Sequence, residues 1–357
     1  MPSSKPLRRL ALLSTVLLTS LLAGCNTVLM SPSGYIAMQQ RDLIVVSTIL
    51  MLIIIVPVII LTLVFAWRYR ASNVNAKYDP EWHHSTMVEL MIWSAPLIII
   101  IALGAITWVS THKLDPYRPL ERISADRELP TNVTPMTVEV VALDWKWLFL
   151  YPEQGIATVN ELVAPVDRPI LFKMTASTVM NSFFIPAMAG QVYAMPGMET
   201  KLNAVINRPG VYEGFSANYS GAGFSDMRFK FYGMPAADFA NWVEQTRAGQ
   251  ETLTREAYLK LEQPSEAEPV RRYASVADGL YEAILNRCVE SNRMCMNDMM
   301  AIDAKGGLGT LGTFNLASNE STRIRLGLTD TATRAYVGAM CTPADPTGGI
   351  GNANPVL

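Results

Sequence analysis

Histidine and cysteine are scarce in this chain, and the place they avoid matters more than the places they occupy. Three of the 357 residues are histidine (His83, His84 and His112), and four are cysteine (Cys25, Cys288, Cys295 and Cys341). None lies between residues 131 and 234. A metal centre that needs thiolate and imidazole donors is therefore excluded from that stretch. Charge of one sign is lacking too. Lys and Arg total 29 against 31 Asp and Glu, and no basic tract follows the N-terminus. That balance gives no cationic footprint for nucleic acid, so no nucleic-acid partner is expected. Residues 43–67 contain no charge at all.

That uncharged run, LIVVSTILMLIIIVPVIILTLVFAW, exceeds the roughly 20 residues that cross a bilayer. A second apolar run, 87–109, is long enough as well and carries one carboxylate, Glu89, near its start. A carboxylate at the mouth of a membrane helix is a functional candidate. The same position near a helix N-terminus also suits the helix dipole, by about 0.3–1 kcal/mol. Pro57 and Pro96 fall inside the runs and read as tolerated kinks.

Before the hairpin, Lys5, Arg8 and Arg9 precede a short apolar segment, 10–22, as in a secretory signal. The segment closes on Leu22-Ala23-Gly24-Cys25, which resembles a bacterial lipobox and makes Cys25 the expected lipidation site after removal of 1–24. The alternatives are a plain signal with an incidental cysteine, or an uncleaved first anchor. The loop after the first run carries Arg68, Arg70 and Lys77, against Arg41 alone in the exported segment 25–42. Basic loops stay in the cytoplasm, so the chain beyond the second run is expected in the periplasm.

The hairpin occupies 43–110, and 111–130, with Pro116, Pro119 and Pro130, reads as a linker. Residues 131–234 hold short β-rich runs at 137–151, 168–175, 179–185, 201–207, 211–217 and 227–232, separated by Gly and Pro. Such spacing predicts a β-sandwich. An extension, 235–300, reads as helical at 235–248, 252–262 and 275–290, with Ser275 and Asp278 as a helix-start pair. The tail, 301–357, lacks apolar periodicity and reads as mostly disordered. Cys288 and Cys295 would sit about 10 Å apart on one helix, too far for a disulfide, but a loop could join them. Cys341 competes as a partner, and the pairing stays open.

This order of parts resembles subunit 2 of the haem–copper respiratory oxidases. The fold implied is a two-helix transmembrane hairpin plus an all-β, cupredoxin-like Greek-key sandwich. In the cytochrome c oxidases of that family, the sandwich holds a two-copper centre on a His-Ser-Phe-x-x-Pro stretch and a Cys-x-x-x-Cys-x-x-x-His-x-x-Met loop. Here Asn181-Ser182-Phe183-Phe184-Ile185-Pro186 is similar to the first. The loop 216–227 is similar to the second, with Ser216 and Ser220 at the cysteine places, Phe224 at the histidine place and Met227 retained. The metal positions are thus vacated, and the resemblance narrows to the bo-type ubiquinol oxidases, which take electrons from membrane quinol. A thioether site for Cu(I) from Met174, Met180, Met188, Met195 and Met198 is the rival reading; methionine as adaptable core filler is the simpler one.

The resemblance implies no cofactor in this chain, with haem b, haem o and a copper in partner subunit 1. It implies smaller membrane subunits as further partners and ubiquinol as substrate of a proton-pumping complex. Glu89 matches the family carboxylate at the cytoplasmic mouth of a proton pathway. Asp144-Trp145-Lys146-Trp147 matches the family's aromatic stretch, so Trp145 and Trp147 are candidate subunit contacts unless they pack in the core. Two other functions stay open: a cytochrome c oxidase subunit with an altered copper site, and a free-standing anchored periplasmic binding or assembly module.

Overall fold

The computed structural model describes residues 27–304 except Tyr78, Thr131, Asn132 and Asn292, together with two short strands further on. The signal segment, Cys25, Cys341 and most of the tail lie outside the described residues. The first element, α1 (Tyr35–Arg68), begins eight residues ahead of the apolar run, and α2 (Thr86–Lys113) ends four residues beyond the second. At 1.5 Å per residue they are about 50 and about 40 Å long. Pro57 and Pro96 lie inside these helices. Leu, Ile and Val surround both helices, and the protein buries none of either apolar stretch. Only a bilayer or neighbouring membrane subunits can cover so much apolar surface.

Both outer helix ends are stitched to the sandwich. The Ser33 and Gly34 amides donate to the Ala187 carbonyl at 2.8 and 2.9 Å, and the Asn207 amide donates to the Ser33 carbonyl at 2.9 Å. Gly34 is required here, because a Cβ would lie 2.6 Å from the carbonyl oxygens of Met188 and Val205. After α2, Asn203 donates from its amide and its side chain to the Pro116 carbonyl at 2.9 and 3.1 Å. The segment 111–130 is thus more than a linker: it completes α2, docks on the sandwich and forms a small hairpin, β1 (Arg122–Ser124) with β2 (Arg127–Glu128).

The sandwich strands are β3 (Met136–Leu143), β4 (Lys146–Tyr151), β5 (Ile156–Val159), β6 (Glu161–Pro165), β7 (Ile170–Ala176), β8 (Asn181–Phe184), β9 (Val192–Ala194), β10 (Thr200–Ala204), β11 (Gly210–Ser216) and β12 (Arg228–Met234). The extension adds α3 (Ala236–Arg247), β13 (Thr252–Leu253), α4 (Arg255–Glu262), β14 (Arg271–Tyr273), β15 (Ser275–Val276), α5 (Leu280–Leu285) and α6 (Met296–Asp303). One sheet has the order β10-β7-β3-β4-β5-β14, the other β6-β12-β11-β8-β9. The parallel pairs β3–β7 and β6–β12 mark the crossovers expected of the cupredoxin-like fold. In the tail, β16 (Phe314–Leu316) pairs with β17 (Arg334–Tyr336).

Two apolar layers explain why residues 137–151 read as one run. Trp147, Phe149 and Tyr151 point into the core between the sheets, while Leu148 and Leu150 point outward beneath the extension. A strand buried on both faces loses its alternation. The turn that splits it, Asp144-Trp145, puts Trp145 at a φ of 62°, a conformation rare for a bulky residue, so no Gly or Asn announces it.

The extension departs from the expected three helices. Thr254 caps α4 by accepting from the Ala257 amide at 3.1 Å, and β13 precedes it. The expected helix at 275–290 is replaced by β15 and the six-residue α5, which starts behind Gly279 at a φ of 66°, so Ser275 and Asp278 do not start a helix. Because α5 ends at Leu285, Cys288 and Cys295 meet through the following loop as a disulfide, with Cα atoms 4.9 Å apart. β14 extends the first sheet.

Glu139, in mid-β3, stands beside Lys173 of β7 and beneath α5. Burial raises its carboxyl to about 7; Lys173 opposes the shift, and Glu282 and Glu199 add to it. Lys201 is next to Glu199, and Asp278 and Tyr281 face the same hollow. A carboxyl raised in the folded state is bound to its proton more tightly there than in the unfolded chain, so stability falls as pH rises from about 4.5 to about 7. The melting temperature of the purified protein should fall over that interval, and Glu139→Gln should flatten the fall; an unchanged slope in the variant would assign it elsewhere.

Candidate functional site

The residues at the four expected copper positions come together at one end of the sandwich. Asn181 opens β8 and Ser216 closes β11, and both are buried, 1% and 3% exposed. The Ser216 hydroxyl lies 3.1 Å from both Asn181 Oδ1 and the Asn218 carbonyl, which share its one proton; Asn181 Nδ2 donates to the Val179 carbonyl at 3.1 Å. Ser220 Oγ stands 3.9 Å from the sulfur of Met227, which is fully buried. Phe224 turns its ring edge-on to the exposed Tyr219, 5.5 Å between centroids.

The donors gathered here are an amide, two hydroxyls and one thioether. A dinuclear copper centre needs thiolates and imidazoles, so these residues do not fit it. The polar groups instead satisfy one another, which removes the cost of burying them. Among the described residues, no group of three His, Cys, Asp or Glu could hold a metal ion. The methionine alternative also disperses: Met174 and Met188 are fully buried in the core, whereas Met180 and Met198 are 39% and 54% exposed.

The aromatic stretch divides in two. Trp147 is fully buried, its ring edge-to-face with Phe183 at 5.4 Å and Phe229 at 5.8 Å. As a subunit contact it is corrected: its side chain has no surface to offer. Trp145 donates from Nε1 to the Ser220 carbonyl at 3.0 Å and covers the loop 216–227. A Cβ at Gly223 would lie 2.6 Å from that indole, so glycine is what lets the ring close down on the loop.

Lys146, between the two tryptophans, gives a function the motif does not announce. Its ammonium group donates to the Gln263 carbonyl at 2.7 Å and to the Ser265 hydroxyl at 2.6 Å, tying the extension to the sandwich. Burial pushes its pKa down, against the attraction of Glu268 and Asp144. Asn160 works beside it, accepting from the Trp147 amide at 2.9 Å and donating to the Glu268 carbonyl at 2.8 Å.

Glu89 lies far along the chain from this cluster, in the first turn of α2 behind the N-cap Ser85. Its side chain is half exposed, and Oε1 accepts from His84 Nδ1 at 2.7 Å. The other ring nitrogen of His84 lies 3.3 Å from the Thr86 hydroxyl. Carboxylate and imidazole in direct contact can pass a proton between them. Sequence singles out Glu89 alone; His84, five residues earlier on an irregular stretch, becomes part of the site only through the fold. Cys25 lies outside the described residues.

Comparisons with known proteins place the chain among relatives. A family model described as the periplasmic domain of cytochrome c oxidase subunit II matches residues 153–231, and the COX aromatic-rich motif matches 247–292. The chain is 50% identical over 267 residues to a cytochrome bo(3) ubiquinol oxidase subunit 2 of Pseudomonas aeruginosa, covering 75% of this chain and 78% of the relative. It is 47% identical over 282 residues to a ubiquinol oxidase subunit 2 of Acetobacter aceti, covering 79% and 89%. A quinol oxidase subunit 2 of Bacillus subtilis is 38% identical over 267 residues, covering 74% and 79%.

Proposed function

The chain belongs to the family of ubiquinol oxidase subunit 2, and from that membership we propose that it is the copper-free subunit 2 of a proton-pumping oxidase of bacterial inner membranes. In this reading the complex oxidises ubiquinol and reduces oxygen to water. Haem b, haem o and a copper in subunit 1 supply the redox chemistry. This chain braces subunit 1, caps its periplasmic face and brings Glu89 to the cytoplasmic mouth of a proton pathway.

The observation that carries the proposal is the hydrogen bond between Ser216 and Asn181, where a thiolate and an imidazole would have to stand to receive electrons from cytochrome c. Those two side chains are spent on each other, so electrons reach the complex by another route. Membrane quinol is the donor that the family supplies. Any contact that the aromatic stretch makes with subunit 1 runs through Trp145 and the exposed Tyr219, which precedes the Ser220 carbonyl that Trp145 bonds. Glu89 and His84 take protons from water at the cytoplasmic face, where a half-exposed carboxylate exchanges freely.

The test is metal, haem and activity analysis of the chain purified gently in detergent. Copurified haem, one copper per complex and quinol-driven oxygen uptake are expected. Three coppers per complex, or oxygen uptake driven by cytochrome c, would overturn the proposal. Purification without any haem partner would point to a free-standing periplasmic module. A second expectation concerns the N-terminus: Cys25→Ser should abolish lipid labelling yet leave the chain membrane-bound, since two spans anchor far more firmly than one acyl chain. Release of the variant into the soluble fraction would contradict the two-span reading.

A further inference from the structure

A cavity of about 330 Å³ opens where the two helices meet the sandwich, walled by the first turns of α1, the end of α2 and the segment after it. Its polar lining includes Gln39, Gln40, Lys113, Arg118 and Arg122. The depth of this cavity follows from the helices. Gln40 precedes the first apolar run by three residues and Lys113 follows the second by four, about 5–6 Å along each helix axis. The polar headgroup layer of a bilayer leaflet is itself about 5–8 Å thick.

The charges in the cavity do not cancel. Arg118 pairs with Glu121 at 2.6 Å, and an Asp115 oxygen accepts from the Tyr117 amide at 2.9 Å. Among the described residues, Lys113 and Arg122 form no ion pair, and Nε of Arg122 is buried with no hydrogen-bond partner. An arginine without a carboxylate partner is free to bind a phosphate through its guanidinium group. The exposed Lys113 and the half-buried Arg122 line one hollow at the level of the headgroup layer and match a phosphate in charge and in height.

We propose that this cavity is a binding site for the phosphate-bearing headgroup of a phospholipid in the outer leaflet, held between Lys113 and Arg122. The proposal rests on the membrane-spanning reading of α1 and α2. A lipid fits better than a free anion because the cavity walls at the start of α1 and the end of α2 continue into the apolar stretches of both helices, on which acyl chains can lie. The bound lipid would fix the angle between the hairpin and the sandwich, and hence the seat of the sandwich on its neighbour.

The test compares wild-type and Lys113→Gln/Arg122→Gln chains within the purified oxidase, washed with detergent and weighed by native mass spectrometry. Wild type should retain one phospholipid more per complex, and the double variant should bind it about 30-fold more weakly. Lys113→Gln alone, which breaks no contact, should weaken binding about fivefold and guards against a double variant that fails to assemble. Equal lipid counts in wild type and variant would overturn the site. So would phosphorus that leaves on dialysis and does not partition into organic solvent, since that marks a free anion. Carbonate extraction of the same membranes checks the spans separately: loss of the wild-type chain into the wash would defeat the membrane reading, not the headgroup site alone.

Discussion

Glu89→Gln is expected to lower quinol-driven oxygen uptake by the assembled oxidase about tenfold or more, with haem content unchanged. The substitution keeps the size of the side chain and an oxygen that can accept from His84 Nδ1, so the 2.7 Å contact survives. What disappears is the capacity to take up and release a proton. Loss of the charge in the first turn of α2 costs the helix at most about 1 kcal/mol, too little to prevent assembly. Glu89→Asp, which retains the carboxylate but withdraws it from His84, should fall between. His84→Ala should have a smaller effect than Glu89→Gln, because the half-exposed carboxylate still meets water directly. Stopped-flow and oxygen-electrode rates on complexes matched for haem would decide the matter. Full turnover with intact proton pumping in Glu89→Gln would assign the carboxylate to helix capping alone.

Some of this arrangement is legible in the sequence because the physics acts locally. An uncharged run of 25 residues has one comfortable environment, and the sequence places both helices to within eight residues. The extra turns of α1 carry Gln39, Gln40 and Arg41, whose helical state depends on the sandwich holding Ser33 and Gly34. No local pattern encodes that. The poor fit of this end of the sandwich to copper is legible for a different reason: donor chemistry is a property of residue type, and Ser, Asn and Phe cannot supply what Cys and His supply. The hydrogen bond that joins Asn181 to Ser216 spans 35 positions and had to be seen.

The extension is the least legible part of the sequence. Its segments are short, and their state is decided by what they cover. Residues 271–273 become a strand because the edge of β5 lies open to them, and 275–276 because β13 pairs with them. Glycine at 279 then restarts the chain as α5. A helix-start pair at Ser275 and Asp278 is a valid local signal that tertiary pairing overrides. Trp147 shows the same limit. Its neighbour Trp145 is only partly buried, because it lies in the turn before β4 at a φ of 62° and not in the strand.

Arg272→Ala should destabilise the periplasmic part by about 3 kcal/mol, by stranding a buried carboxylate rather than by removing a surface charge. Glu161 opens β6 with its side chain only 7% exposed, and Arg272 of β14 grips it with two bonds, Nε to Oε2 at 2.6 Å and Nη2 to Oε1 at 2.8 Å. The guanidinium also lies 6.0 Å from the Trp242 ring centroid, so one side chain links β6, β14 and α3. Lysine cannot reproduce the fork, and Arg272→Lys should lose roughly half as much. Removing both charges, in Glu161→Leu/Arg272→Met, should cost less than Arg272→Ala, because no ion is then left buried without a partner. At roughly 2–4 °C per kcal/mol for a unit of this size, Arg272→Ala should melt about 6–12 °C lower. Protease should also cut the extension first, since β14 is its seam to the sandwich. If the double variant proved as unstable as Arg272→Ala, the loss would stem from packing against Trp242, and the ion pair would not be what fastens the extension.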